Sequence, residues 1–244
     1  MVRRLSVTGN KKMINIVVCE LAGENGGREM TRLYIVRHGE TDWNKKRRVQ
    51  GHSDIPLNEY GIHLAKETAE GLKDTRFDVA YTSPLKRARQ TAQIILGERK
   101  IPLYEEERVK EMGFGEYEGL CCAGQNKDEK SEEFQKFFGD TANFIPARHG
   151  ETIEQVNKRT EDFLKEMCAR KDLEGKNVLV STHGAAMTSL LNHIRNNTKT
   201  ADFWKYEVPP NCAVTIVEIT DGVPKIIKEG IIYYKEPVKK WKAV

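Results

Sequence analysis

Two histidines directly follow short apolar segments of the kind that form buried strands. His38 lies between Arg37 and Gly39 after the segment LYIV, and His183 precedes Gly184 after the segment VLVST. The carboxyl ends of parallel strands meet at one edge of a sheet, where ligands bind, so we expect both imidazoles to lie together there. A glycine after each histidine allows the backbone to approach a ligand closely and to expose its N–H.

The basic residues near these histidines suit an anion better than a metal ion. Arg37 precedes the first histidine, and Arg87 lies on a helix that follows another predicted strand. Two arginines would repel a cation, whereas they hold a tetrahedral dianion such as a phosphoryl group with paired donors. A neutral imidazole is also a competent nucleophile toward phosphorus. These residues predict phosphoryl chemistry without a metal ion or another cofactor, although either histidine alone would more often be a core or turn residue.

The pentapeptide RHGET occurs twice, at residues 37–41 and 148–152. The first copy leaves an apolar strand. The second copy leaves an irregular segment and begins an amphipathic helix, where Glu151 is expected in the first turn and complements the helix dipole. We therefore predict that only the first copy carries a nucleophile, with a rim contact from Arg148 and His149 left open.

Strand and helix patterns alternate from residue 32 onward. Strands are predicted at 32–36, 77–83, 177–182, 213–220 and 224–232. Helices are predicted at 58–74, 83–96 and 151–167 and after His183, the second of them with Ser83 as N-cap and Pro84 as its first residue. This alternation predicts an α/β domain with a mostly parallel sheet. The segment 118–147 is irregular, apart from a short helix near 131–138, and is interpreted as an insertion or lid.

The composition is that of an ordinary globular protein of 244 residues. No apolar run approaches the roughly 20 residues that span a bilayer, so we expect a cytoplasmic protein without a membrane partner. The five cysteines are odd in number and lack metal-binding spacing, which favours reduced, structural thiols. The net charge of +4 is accounted for by six lysines and two glutamates after residue 223, which is more typical of a solvated tail than of a nucleic-acid surface.

Five blocks of sequence resemble the histidine phosphatase superfamily, also called the phosphoglycerate mutase-like family. The blocks are RHGETDWN (37–44), QGHSDIPLNEYG (50–61), TSPLKRARQTA (82–92), EMGFGEYEG (111–119) and STHGAAM (181–187). The resemblance covers residues 32–232 and implies a three-layer α/β/α fold with a small lid at about 118–147. Residues 1–31 would be an N-terminal extension, with Met30 as an alternative start, and 233–244 a basic tail.

The resemblance also implies roles for individual residues. His38 would be the nucleophile that becomes phosphohistidine, and Arg37 and Arg87 would neutralise the phosphoryl oxygens. His183 would donate a hydrogen bond as charge develops, and Glu111 would be the general acid and base. The expected substrate-binding residues are Gly39, Thr41, Asn44, Gln50, Gly51, Gly184 and Ala185.

The family contains both phosphatases and mutases. Phosphoglycerate mutases usually carry Arg-His after the acid and Asn two places after the second histidine, where this chain has Met112, Gly113 and Ala185. The pattern GFGEYEG looks most like the broad-specificity and α-ribazole-phosphate phosphatases. The sequence therefore predicts a phosphomonoesterase that acts on a small phosphorylated metabolite, with mutase-type transfer and a non-catalytic phosphate-binding module as alternatives. It predicts neither the substrate nor the oligomeric state.

Overall fold

The computed structural model describes residues 29–125 and 127–235. Within them the strands are β1 (Thr31–Arg37), β2 (Val79–Thr82), β3 (Leu103–Glu105), β4 (Asn177–Thr182), β5 (Val214–Thr220) and β6 (Val223–Ile231). The α-helices are α1 (Asp42–Lys45), α2 (Glu59–Gly71), α3 (Lys86–Leu96), α4 (Ser131–Gly139), α5 (Ile153–Ala169) and α6 (Gly184–Ile194). Short 3₁₀ turns occupy Glu107–Val109, Gly115–Tyr117, Thr141–Asn143, Lys171–Leu173 and Thr200–Asp202. Most of the predicted N-terminal extension and basic tail lies outside the described residues.

The strands form one sheet in the order β3-β2-β4-β1-β5-β6. The pairs β3–β2, β2–β4 and β4–β1 are parallel, whereas β5 and β6 add an antiparallel edge. The prediction of a mostly parallel sheet is confirmed. Strand β3 was not predicted because its three residues, LYE, are at least partly exposed and form no apolar run.

Helices cover both faces of this sheet. On one face, Leu33 and Ile35 of β1 belong to a core cluster with Phe163 of α5 and Met187 of α6. On the other face, Val36 belongs to a cluster formed with α2 and α3 through Leu72, Ala92 and Ile95. Because successive residues of a strand point to opposite faces, an almost continuous apolar strand is what a sheet covered on both sides requires. The three-layer α/β/α prediction is confirmed.

Helix α3 begins later than predicted. Its N-cap is Leu85, without a side-chain cap, and its first residue is Lys86. Ser83 does not cap the helix because its Oγ accepts hydrogen bonds from the Leu85 amide and from a ring nitrogen of His183. The prediction of a Ser83 cap followed by Pro84 was therefore wrong, and Ser83 serves the site instead.

Helix α5 likewise begins two residues later than predicted. Thr152 is its N-cap and forms a capping box with Gln155, so Glu151 precedes the helix rather than lying in its first turn. The carboxylate of Glu151 instead pairs with the guanidinium of Arg159, eight residues further along the chain in helix α5.

The segment 118–147 packs firmly onto the domain. Helix α4 confirms the short helix predicted near 131–138, and its residues Phe134 and Phe137 are buried. Both contact Phe114, with ring centroids 5.1 Å apart in each pair, and the Trp204 indole donates to the Phe137 carbonyl (2.6 Å). Burial of each ring stabilises the fold by about 1.5–3 kcal/mol, so the cluster as a whole contributes several kcal/mol. It anchors the insertion as one wall of a cavity.

Two further sequence expectations concern the membrane and the thiols. In the part of the chain that the structure describes, no helix is long and apolar enough to cross a bilayer. Cys121, Cys122, Cys168 and Cys212 are free thiols, as predicted for reduced, structural cysteines. Cys19 lies outside the described residues.

Candidate active site

Strand pairing explains why the two histidines meet. Strands β1 and β4 are parallel neighbours in which Arg37 is paired with Thr182. The next residues along each strand are His38 and His183, and the His38 amide continues the ladder by donating to the Thr182 carbonyl (2.9 Å). Their rings lie with centroids 5.1 Å apart. The equal register therefore brings both imidazoles to one point at the carboxyl edge of the sheet.

The His38 ring lines a cavity and has one nitrogen free. Its Nδ1 lies 2.6 Å from the Gly39 carbonyl, which can only accept, so Nδ1 carries the proton and Nε2 keeps its lone pair. Burial, followed by the charges of Arg87 and Arg37, lowers the pKa of His38 well below its usual value. The imidazole is consequently neutral near pH 7, as a nucleophile must be.

Arg37 offers an unused donor in the same cavity. Its Nη1 donates to the Pro209 carbonyl (2.9 Å), whereas its buried Nε has no hydrogen-bond partner among the described residues. Burial lowers the pKa of Arg37 from its ordinary value, with Glu111 acting in the opposite direction. Leaving a buried donor unsatisfied costs about 1–3 kcal/mol. An anionic oxygen bound next to His38 would satisfy it.

Arg87 and His183 form a second, fully buried layer. Arg87 Nε donates to His183 Nδ1 (3.1 Å), so the His183 proton resides on Nε2, which donates to Ser83 Oγ (2.7 Å). Burial lowers the pKa of Arg87 to about 10, and burial together with Arg87 lowers the pKa of His183 well below normal. Both ring nitrogens of His183 thus have partners in this structure, so its predicted donation to a phosphoryl oxygen stays a prediction.

A loop after the first motif fixes the guanidinium of Arg87. The carbonyls of Gly51 and Ser53 accept from Arg87 Nη2 (2.7 Å) and Nη1 (2.9 Å). With its amide oxygen facing Arg87, Gln50 also accepts from Nη1 (3.1 Å) and donates to Thr41 Oγ1 (2.6 Å). The Glu118 carboxylate holds the loop from the other side through the amide of Ser53 (2.6 Å) and its hydroxyl (2.5 Å).

Glu111 lies at the N-terminus of helix α6. Its Oε1 accepts from the amides of Met112 (3.0 Å), Ala185 (3.1 Å) and Ala186 (3.1 Å), and its Oε2 from Ala185 (3.2 Å). The free backbone amides of a helix N-terminus thus hold the carboxyl group in place. Only 7 % of Glu111 is exposed, and what is exposed faces the cavity that His38 lines. The structure therefore brings a carboxyl group and an imidazole to the same cavity from distant parts of the sequence.

The cavity has a volume of about 270 Å³ and two kinds of lining residue. Arg37, His38, Asn44 and Glu111 are among the polar ones. The aromatic ones, here called the aromatic wall, are Phe114, Phe134, Phe137, Phe138 and Trp204. The cavity can therefore hold a molecule that has both a charged group and a carbon skeleton.

The structure separates the seven expected substrate-binding residues into two groups. Those that line the cavity are Asn44, Gln50, Gly184 and Ala185. In Asn44, Oδ1 accepts from the Thr41 amide and hydroxyl, which leaves Nδ2 as the group that can donate to a ligand. Ala185 contributes its backbone, since its amide holds Glu111.

The other three, Gly39, Thr41 and Gly51, are buried and lie outside the cavity wall. The Gly39 amide donates to Thr91 Oγ1 (3.0 Å), so the expected exposure of this N–H to a ligand was wrong. Gly39 is needed for packing, because a Cβ there would lie 2.6 Å from the Gly61 carbonyl oxygen. Thr41 caps helix α1, and Gly51 holds Arg87 through its carbonyl.

The second RHGET copy does not reach the cavity with its histidine. Arg148 and His149 are exposed in a turn where His149 has a left-handed φ of 64°, and neither lines the cavity. The expectation that only the first copy supplies a histidine to the site agrees with this placement. The carboxylate of Glu151, however, lies close to the main chain that follows Glu111, because it accepts a hydrogen bond from the Gly113 amide (2.8 Å).

Sequence reasoning missed several residues of the site. Ser83 and Glu118 stand inside motifs that were recognised, but their polar side chains carried no signal of which group they contact. The aromatic wall joins residues from 114 to 204, and only the run FQKFF gave a local hint of an apolar helix face. Trp204 lies in a stretch without periodicity, so its sequence neighbours did not indicate that it lines the same cavity as residues of the motif at 37–44.

Comparison with known proteins identifies the family. Residues 33–231 match the model of the histidine phosphatase superfamily (branch 1). An uncharacterized phosphatase, PhoE, of Bacillus subtilis is 39% identical over 165 residues, covering 68% of this chain and 78% of the relative. A 2,3-bisphosphoglycerate-dependent phosphoglycerate mutase of Cytophaga hutchinsonii is 34% identical over 170 residues, covering 68% and 78%.

A solved structure gives the same result for the fold. YhfR of Bacillus stearothermophilus superposes with a TM-score of 0.74 at 32% identity, covering 83% of this chain and 98% of that structure. The paired strand-end histidines, Arg37, the buried Arg87 and the Glu111 carboxyl group at the N-terminus of helix α6 are arranged on that fold. The chain belongs to branch 1 of the histidine phosphatase superfamily.

Proposed function

We propose that the protein is a phosphomonoesterase that works through a phosphohistidine on His38. The observation that carries this proposal is the His38 ring, which lines the cavity and whose Nδ1–H is bound by the Gly39 carbonyl, so that Nε2 is the free ring nitrogen. Arg37 lines the same cavity, and its Nε has no hydrogen-bond partner among the described residues. A nucleophile with a fixed tautomer next to an unused cationic donor is suited to a phosphoryl group.

The reaction has two displacements at phosphorus. In the first, His38 Nε2 forms a bond to phosphorus, the ester P–O bond breaks, and Glu111 gives a proton to the leaving oxygen. The Gly39 carbonyl stabilises the positive charge that the ring then carries. In the second, Glu111 takes a proton from water, the water oxygen bonds to phosphorus, and the N–P bond breaks, which returns the lone pair to His38. Neither step calls on a metal ion.

The aromatic wall supports hydrolysis over mutase-type transfer. In this proposal the carbon skeleton of the substrate packs against the wall, and its alcohol departs past Glu111. Met112 stands where the mutases usually carry Arg, and its side chain is buried in the same cluster as Phe114. This position therefore supplies no cation for a substrate carboxylate, and the arginines that line the cavity are Arg37 and Arg48 instead. Phosphoglycerate mutase activity remains the second candidate because mutases are among the relatives.

The test combines turnover with a covalent intermediate. Wild type should hydrolyse p-nitrophenyl phosphate in the presence of a chelator and form an acid-labile phosphoenzyme, and His38→Ala should lose both. His63→Ala serves as control, since His63 is exposed on α2. Rapid interconversion of phosphoglycerates with little free phosphate would reject the phosphatase in favour of the mutase. Phosphate binding without phosphoenzyme would reject both and leave a binding module.

The remaining expectations concern the setting of the enzyme. The proposed partner is a small phosphorylated metabolite, and the proposed location is the cytoplasm. Assaying a panel of phosphorylated metabolites, with free phosphate as the readout, would narrow the substrate. Aryl and hydrophobic alkyl phosphates should exceed phosphorylated carboxylic acids in kcat/KM because of the aromatic wall.

A further inference from the structure

The main chain around Glu111 is held by a cluster that the reaction itself does not use. Arg159 of helix α5 donates to the carbonyls of Arg108 (2.9 Å), Lys110 (2.6 Å) and Glu111 (3.0 Å). The same guanidinium pairs with both oxygens of Glu151, at 2.9 and 3.0 Å. One planar group thus fastens to helix α5 the carbonyl of the proposed acid and two carbonyls that precede it.

His52 and Glu151 complete the cluster. His52 Nε2 donates to the Glu111 carbonyl (2.8 Å) and lies 3.5 Å from Glu151 Oε2. Glu151 Oε2 also accepts from the Gly113 amide (2.8 Å), and the Glu151 amide donates to the Gly113 carbonyl (2.7 Å). The main chain is therefore held at Glu111 and again two residues later.

The charge of Glu151 persists across the working pH range. Burial acts to raise its pKa, but hydrogen bonds from His52 and Arg159 outweigh it and bring the pKa to about 2. An ionised carboxylate is what keeps the guanidinium of Arg159 in its fork geometry. A partly buried pair of this kind is weak evidence for stability, so its place beside Glu111 calls for another explanation.

The position of the Glu111 carboxylate depends on this anchoring. Glu111 lies in irregular backbone just after the 3₁₀ turn Glu107–Val109, and its carboxylate extends from there to the N-terminus of helix α6. A polar group that acts on a leaving oxygen must be held within a fraction of an ångström, and misplacement by about 1 Å can cost a hundredfold in rate. Nothing in the local secondary structure of Glu111 provides that precision.

We propose that Glu151, Arg159 and His52 form a clamp that positions Glu111 for proton transfer. The second RHGET copy thereby contributes to the reaction through its glutamate, while its histidine stays at the surface. The clamp residues do not line the cavity, so they are positioning residues and leave phosphoryl binding to Arg37 and its neighbours. This inference rests on the proposed function, because it assigns a support to the proposed acid.

The kinetic test uses two substrates with similar carbon skeletons and different leaving oxygens. p-Nitrophenolate departs without a proton, whereas the alkoxide of 2-phenylethyl phosphate requires one. In Glu151→Gln, kcat/KM for 2-phenylethyl phosphate should fall about tenfold or more, part of the 10²–10⁴ that a general acid supplies, and kcat/KM for p-nitrophenyl phosphate should change less than about threefold. The inhibition constant of vanadate should stay within about twofold of wild type.

Two further variants guard against a trivial loss of folding. Arg159→Lys keeps the charge but cannot reach three carbonyls, so it should show the same substrate-dependent loss. Glu154→Gln, an exposed change at the start of the same helix, should leave both substrates unaffected. An equal loss for both substrates in Glu151→Gln and Arg159→Lys, or no loss in either, would overturn the clamp.

A measurement that needs no turnover separates this inference from the proposed function. The amides of Ala185 and Ala186 donate to the Glu111 carboxylate, so their hydrogen exchange should speed up about tenfold in Glu151→Gln, while that of Leu190 in the same helix should not. Unchanged exchange at Ala185 and Ala186 would overturn the clamp. Absence of phosphoenzyme in wild type would instead overturn the proposed function. Hydrogen exchange at Ala185 and Ala186 would still show whether Glu151 holds Glu111 in place.

Discussion

Lowering the pH should destabilise this protein through its two site histidines. The pKa values of His38 and His183 are held well below normal, first by burial and then by Arg87. Between those lowered values and the unfolded value of about 6.5, the unfolded chain binds more protons than the native chain. The stabilising contribution of these two groups is therefore present above pH 6.5 and is lost as the pH falls below it.

The size of the effect follows from linkage. For each histidine that stays neutral in the native state, the protein loses about 1.4 kcal/mol of stability between about pH 7.5 and 5.5. The reason is that, below about pH 6.5, the unfolded chain binds one proton that the native chain does not bind. Two such histidines give about 2.7 kcal/mol, a large part of a typical 5–15 kcal/mol. His193, whose pKa burial also lowers, acts in the same direction. Glu151 titrates near pH 2, outside this window.

Urea unfolding followed by circular dichroism at the two pH values provides the assay. Phosphate-free buffers are needed, because an anion bound beside Arg37 would stabilise the native state. His38→Ala should retain a dependence smaller by about 1.4 kcal/mol, the share of one histidine. A difference below about 1 kcal/mol in wild type, or an unchanged dependence in His38→Ala, would refute the assignment of buried neutral imidazoles.

Three other outcomes follow from the site and its surroundings. Ser83→Ala removes the acceptor of the His183 Nε2–H. Phosphoenzyme formation, measured by rapid quench, should slow roughly tenfold to a hundredfold, and an unchanged rate would mean that Ser83 is only a turn residue. His149→Ala should leave kcat/KM within about twofold, and a larger loss would mean that the second pentapeptide touches substrate. Gly39→Ala places a methyl group against the Gly61 carbonyl and should lower stability by about 1–3 kcal/mol, measured as a drop in Tm; an unchanged Tm would contradict the packing argument.

Much of the fold and the core of the site could be predicted from sequence because the signals are local. The apolar strands around residues 33–36 and 178–182 and the helices between them define a parallel sheet. The ladder of β1 and β4 then places the following histidines side by side, so strand boundaries were enough to bring His38 and His183 together. Arg37 follows from its neighbour, and Arg87 from the helix after β2.

What local patterns could not supply were the partners of each polar group. Ser83 looks like a helix cap in sequence, and only its distance from His183, 100 residues away, gives its hydroxyl another role. Gly39 looked like a ligand contact and is instead a packing contact with α2. In both cases a contact with a residue distant in sequence overrides a short-range preference.

The sequence by itself therefore determined the layers and the meeting of His38, His183 and the two arginines, since strand periodicity and residue order are written locally. Tertiary structure alone decided how the acid is held and what the substrate's carbon atoms meet. Glu111 is bound by amides 74 and 75 residues away and supported by Arg159, and the aromatic wall is assembled from three separate segments. Such contacts depend on the packing of whole elements. The same packing explains why two identical pentapeptides differ: one presents its histidine to the cavity, and the other presents its glutamate to the main chain of Glu111.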